Sequence, residues 1–104
     1  SHEIEVIIMT SYANSDMVIK TVDDIVTRKN DNGSIILMKM NDSDNFFKID
    51  GIASMIWRES VDNGRQLGEI FKLVIDGYEV EASTLEKDID KLLQDLRSHK
   101  LIVE

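Results

Sequence analysis

The chain contains no cysteine, which excludes disulfides, thiolate metal sites and cysteine nucleophiles. Histidine is nearly as scarce, with only His2 and His99. Ser1 and His2 read as a tag remnant, leaving His99 as the one usable imidazole. With one usable histidine, no cysteine and no nearby serine elbow, no nucleophilic triad can be assembled. Positive charge is also short, with 12 Lys and Arg against 20 Asp and Glu, a net charge of −8. Such a balance disfavours nucleic acid, where affinity comes largely from cations neutralising phosphates, and it disfavours an anionic membrane surface. Long apolar runs are lacking: Val6–Met9 and Ile35–Met38 are four residues each, whereas a membrane span needs about 20. No signal peptide is visible, so the expected location is the cytoplasm. Proline is absent, and the glycines at 33, 51, 64, 68 and 77 sit at element ends without forming a phosphate-cradling loop.

What remains is enough for one domain. The chain has 104 residues, of which 42% are hydrophobic, which suits a single core better than disorder. Ile4, Val6, Ile7, Ile8 and Met9 predict a short strand, followed by a polar stretch to Asp16. Within Val18–Lys29, Ile25–Arg28 is the expected strand core. Asn30-Asp31-Asn32-Gly33 is a turn, because Asn-Gly tolerates the positive φ of a tight hairpin. Ser34–Met40 is the next strand, Asn41–Asn45 a second polar turn, and Phe46–Ile49 a third strand. The period then becomes helical. Asp50 is an N-cap candidate, with Ile52, Met55 and Ile56 as a buried stripe and Asn63-Gly64 as the stop. A second helix over Leu67–Asp76 turns Leu67, Ile70, Phe71 and Val74 inward and ends at Gly77. Ser83 and Glu86 fit a capping box before a third helix whose Leu85, Ile89, Leu92, Leu93 and Leu96 make the strongest amphipathic signal. Leu101–Val103 is an apolar tail that packs or pairs. The expected fold class is α+β: a three-stranded antiparallel sheet followed by three helices.

No catalytic constellation emerges. Asp42-Ser43-Asp44 begins like a calcium loop, but Phe47 stands where glycine is needed and Ala53 where glutamate is needed. Glu86 and Asp90, four apart, share a helix face. With Lys87 and Lys91 interleaved, they read as a solvated, ion-paired surface. His99 reads as an ordinary surface residue near a helix end, and Trp57 as a shield on one edge of the core.

Three segments carry a resemblance: FFKIDGIASMIW (46–57), DNGRQLGEI (62–70) and EVEASTLEKDIDKLLQDLRSHKLI (79–102). In this order they resemble PqqD-like proteins, the recognition elements for ribosomally made precursor peptides. A strand runs through an aliphatic–Asp step into a helix ending in Ile-Trp. A glycine-marked turn then leads to a helix with an acidic–Ile pair, and a last helix has an acidic start and a basic–aliphatic exit. The likeness covers Val18–Glu104, so residues 1–17 are an N-terminal extension with a possible extra strand and residues 18–104 the peptide-recognition domain. Gln66 stands where such proteins often place a Ser or Thr cap, and Gly68 is expected to weaken its helix by about 0.5–1 kcal/mol relative to Ala.

The resemblance implies a winged-helix-like, non-catalytic adaptor without cofactor or metal. It binds the leader of a precursor peptide as an added strand and presents it to a modifying enzyme such as a radical SAM protein. By position, the docking edge is Asn45, Phe46, Phe47, Lys48 and Ile49. The flank of the third helix is Asp88, Lys91, Leu92 and Asp95, with Asp88 and Asp95 suited to a basic leader residue. Phe47 and Ile49, on one strand face, read more readily as core, leaving Phe46 and Lys48 on the other. Leu92 reads alternatively as wholly buried, and Asp88 and Asp95 as solvated charges. One rival is a winged-helix DNA-binding domain. It is disfavoured because Ser83–Lys100 balances Glu86, Asp88, Asp90 and Asp95 against Lys87, Lys91, Arg97 and Lys100. A second rival is a structural module that forms a homodimer through Ile4–Met9. That same strand could instead occupy the peptide edge until a leader displaces it.

Overall fold

The computed structural model describes residues 11–103. The expected strand Ile4–Met9, with the dimer and self-occupation readings that depend on it, lies outside them. Three strands, β1 (Ile25–Lys29), β2 (Ile35–Lys39) and β3 (Asp42–Ile49), form an antiparallel sheet in the order β1-β2-β3. The β1–β2 hairpin turns where the Asn-Gly step predicts, with Gly33 at φ 91°. Asn30 N–H donates to the Ser34 carbonyl at 2.9 Å, and the Asn32 side-chain oxygen accepts from the Ser34 N–H at 3.0 Å. Local side-chain acceptors of this kind hold a turn without help from the core.

The third strand starts earlier than expected. Asn41–Asn45 is not a turn: the chain reverses over Met40 and Asn41 alone, and Lys39 already pairs with Asp42. The next pair is Met38 with Phe46, so residues 43–45 form an irregularity in β3. The Asn45 amide donates to both Asp42 carboxylate oxygens, at 2.9 and 3.1 Å, and ties its two ends together. Turn-forming residues supply the bulge rather than the reversal.

Helix α1 (Gly51–Trp57) widens into a π turn over Arg58–Asp62, and α2 (Leu67–Gly77) and α3 (Ala82–Ser98) follow. Asp50 stands at the N-cap of α1, but its side chain accepts no capping hydrogen bond. Ser54 instead closes the strand-to-helix step, donating its hydroxyl to the Ile49 carbonyl at 2.9 Å. Of the expected stripe only Ile56 is fully buried; Ile52 and Met55 are half-buried, and Trp57, 1% exposed, belongs to the core rather than its edge. In α2, Leu67, Ile70, Phe71 and Val74 are buried as the period predicts. The Gln66 N–H donates to the Glu69 carboxylate at 3.2 Å, within the capping box that Gln66 and Glu69 form at the helix start. In α3 the five apolar positions are buried, but the Ser83–Glu86 capping box does not form. The helix begins at Ala82 and the Glu81 N-cap makes no side-chain bond. None of the helices among the described residues is long and apolar enough to cross a membrane.

Glu86 is missing from that cap because it is used elsewhere. It is buried and accepts the Tyr12 N–H at 2.9 Å, so the solvated face expected for Glu86 and Asp90 is instead the seat of the segment that opens the described chain. Asp90 accepts the Tyr12 hydroxyl at 2.9 Å. From there the chain straps across the helices. Ser15 and Met17 carbonyls accept the Gly68 and Leu67 N–H groups, each at 2.8 Å. The Ile19 N–H donates to the buried Ser60 hydroxyl at 2.8 Å. The far end closes on the same strap: Thr21 pairs with Ile102, and Val103 N–H donates to the Lys20 carbonyl at 2.8 Å. One face of the sheet (Ile35, Leu37, Ile49) packs with the inward sides of the helices in one buried cluster.

Candidate functional site

Because the strand order is β1-β2-β3, β3 is an edge, and half of its backbone N–H and C=O groups have no strand to pair with. The chain leaves this edge directly into α1, and α3 lies across from it. Between them opens a groove of about 450 Å³, lined by residues 47–53 and by Asp88, Lys91, Leu92 and Asp95. Its floor is apolar: Ile49 and Leu92 are each 4% exposed, and Phe47, Ile52 and Ala53 are half-buried. Strand alternation turns Phe47 and Ile49 to this side. The helical period puts Asp88, Leu92 and Asp95 on one flank of α3.

The rim is charged. Lys91 forms an ion pair with Asp95 at 2.8 Å, so Asp95 already has a cation. Asp50 and Asp88, both exposed, form no ion pair or side-chain hydrogen bond among the described residues. The free carboxylates of the groove are therefore Asp50 and Asp88 rather than the expected Asp88 and Asp95. At the far end Phe47 meets His99, with ring centroids 4.9 Å apart and planes 31° from parallel. His99 Nδ1 lies 2.8 Å from the Asp95 carbonyl, which requires the proton on that nitrogen and fixes the ring against Phe47. A small cavity of about 40 Å³ continues past this contact, between Asn45, Asp42, Lys39 and Leu101.

Seven of the residues picked out in sequence, Phe47, Lys48, Ile49, Asp88, Lys91, Leu92 and Asp95, thus line one groove. Asn45 sits beyond its end, beside the small cavity. Phe46 is elsewhere: it is 60% exposed and faces away from the helices, as alternation with Phe47 requires. Asp50, Ile52, Ala53 and His99 were not picked out. The signal for the first three is their position just after the strand. For His99 it is helical spacing, seven residues after Leu92 and four after Asp95.

On the opposite flank of α3 the Tyr12 contact perturbs two acids. Burial, then the hydrogen bond to Asp90, pushes the Tyr12 hydroxyl up to about 12. Burial also raises the Glu86 carboxyl above its ordinary value, against the Tyr12 N–H bond, which lowers it. Both lie outside the groove and account for packing, not chemistry.

Two solved structures share the fold. One, described as TbiB1 in complex with the TbiA(beta) leader peptide, is 25% identical with a TM-score of 0.68, over 80% of this chain and 93% of its own. The other, lasso peptide synthetase B1 complexed with the leader peptide, is 20% identical with a TM-score of 0.72, over 85% of this chain and 100% of its own. No curated protein matches the sequence. The family model for coenzyme PQQ synthesis protein D (PqqD) matches residues 35–102, from the first residue of β2 to the one that pairs with Thr21. The chain belongs to the PqqD family.

Proposed function

We propose that this protein is a non-catalytic cytoplasmic adaptor. It binds the leader region of a ribosomally synthesised precursor peptide and presents the rest of that peptide to a modifying enzyme, such as a radical SAM maturase. The observation that carries the reading is an edge strand, β3, opening onto an apolar-floored groove walled by α3. A leader segment laid along that edge becomes a fourth strand, its backbone satisfying the unpaired groups of β3. Every second side chain then enters the groove, where Phe47, Ile49, Ile52 and Leu92 receive apolar residues. A basic leader residue meets Asp50 and Asp88, the carboxylates with no cation of their own. The leader complexes of both structural relatives support the reading.

The test is a fluorescence polarisation titration with leader peptides from short precursor-like reading frames encoded nearby. Binding in the micromolar range or tighter, about −8 kcal/mol, that Ala53→Lys on the half-buried groove floor abolishes without unfolding the protein is the expected result. Binding that Ala53→Lys leaves intact would remove the groove from the account.

A further inference from the structure

The sheet has a second face, and among the described residues nothing covers it. Register aligns it in two rows across all three strands: Val26, Met38 and Phe46 in one, Arg28, Ile36 and Lys48 in the other. Val26 is 43% and Phe46 60% exposed. Ile36 and Met38 are half-buried yet lie outside the hydrophobic cluster. Single exposed apolar residues are ordinary; a row joined across paired strands is a contiguous patch, and such patches mark interaction sites. Charge sorts with it. The chain has 20 acids to 12 bases, yet these six positions hold two cations and no acid. Neither Arg28 nor Lys48 forms an ion pair among the described residues.

We infer that this outer face docks the modifying enzyme, through a patch on the enzyme that is apolar at its centre and carries carboxylates opposite Arg28 and Lys48. A second copy of the chain is a poor occupant, because the copies would bring the same two cations together with no acid among these six positions of either copy. The inference rests on the leader reading and adds a partner surface to it. A leader strand added at β3 lies about 4.8 Å beyond it, so its outward side chains extend the two rows that end in Phe46 and Lys48. The enzyme then touches adaptor and leader on one continuous face, and it binds the loaded adaptor more tightly than the empty one.

The experiment uses the full chain, a leader peptide identified by titration and the purified enzyme encoded beside that precursor. Arg28→Glu and Val26→Thr change only β1, about 10 Å from the β3 edge. Thr keeps the β-branched shape, so one variant retains the strand if the other weakens it. Leader affinity and enzyme affinity are measured separately, the latter with and without leader, so failure of the leader reading and failure of the docking appear in different titrations. The expected result is leader affinity within about twofold of the parent and enzyme affinity lowered roughly tenfold by Arg28→Glu. The inference is overturned by unchanged enzyme affinity in both variants, or by no enzyme binding to the loaded parent protein. It is equally overturned by a dimer that Arg28→Glu disperses, which assigns the face to a second copy. Amide shifts at Val26, Met38 and Phe46 on removal of residues 1–10 would assign the face to the chain's own first segment.

Discussion

Gly68 shows how one atom can matter to the assembly. A Cβ there would come within 2.9 Å of the Ser15 carbonyl and 3.1 Å of the Ala13 carbonyl, both backbone atoms of the strap that Gly68 N–H holds. By helix propensity alone Gly68→Ala stabilises α2 by about 0.5–1 kcal/mol. Here the strap must shift, so the substitution is expected to lower stability, read as a reduced denaturant midpoint; a raised midpoint would contradict the contact. Glu86 makes a second residue-scale prediction. Its folded carboxyl has a raised pKa, so the folded state holds the proton more tightly than the unfolded one, and stability is lost as pH rises above about 4.5. Glu86→Gln keeps an acceptor for Tyr12 N–H without the charge. It is expected to gain stability over the parent at neutral pH and to lose that gain below the ordinary glutamate range. A gain that does not depend on pH would point to packing instead. In the groove, Asp88→Asn is expected to weaken a Lys- or Arg-containing leader by about 2–5-fold, the scale of a solvent-exposed pair, with less effect at high salt.

Among the elements, β3 carries the proposed function, and strand addition has a signature that side-chain burial lacks. Only alternate backbone groups of an added strand face β3. N-methylation along a bound leader is therefore expected to abolish binding at every second residue and to be tolerated between, as polarisation titrations of each methylated peptide would show. Uniform tolerance would mean the leader docks by side chains alone. The same strand shows where local patterns stop being informative. Phe47 and Ile49 were legible as inward residues from the two-residue period. The start of the strand was not, because Asn and Asp signal turns and cannot announce that they will fill a bulge held by Asn45 and Asp42. Helix α3 repeats the lesson. Its apolar stripe read correctly, whereas its capping box failed because Glu86 bonds to Tyr12, 74 residues away in the chain. The π turn over Arg58–Asp62, just after the buried Trp57, likewise has no signature in short-range spacing.

At the scale of the whole molecule, one small sheet separates three tasks. Its inner face builds the core, its β3 edge opens the groove, and its outer face keeps an apolar and cationic surface in an otherwise acidic chain. The order of elements was legible because hydrophobic period and turn chemistry repeat over many residues. The way the strap and the chain's end close on each other was not, since Thr21 meets Ile102 only after folding. The central claim, that a leader peptide lies on β3 against α3, is tested most directly by backbone amide shifts during titration with a cognate leader. The account predicts that shifts concentrate on residues 45–53 and on Asp88, Lys91, Leu92, Asp95 and His99, leaving β1 and the Tyr12 contact unmoved. Saturable shifts centred on β1 or α2 instead would contradict it.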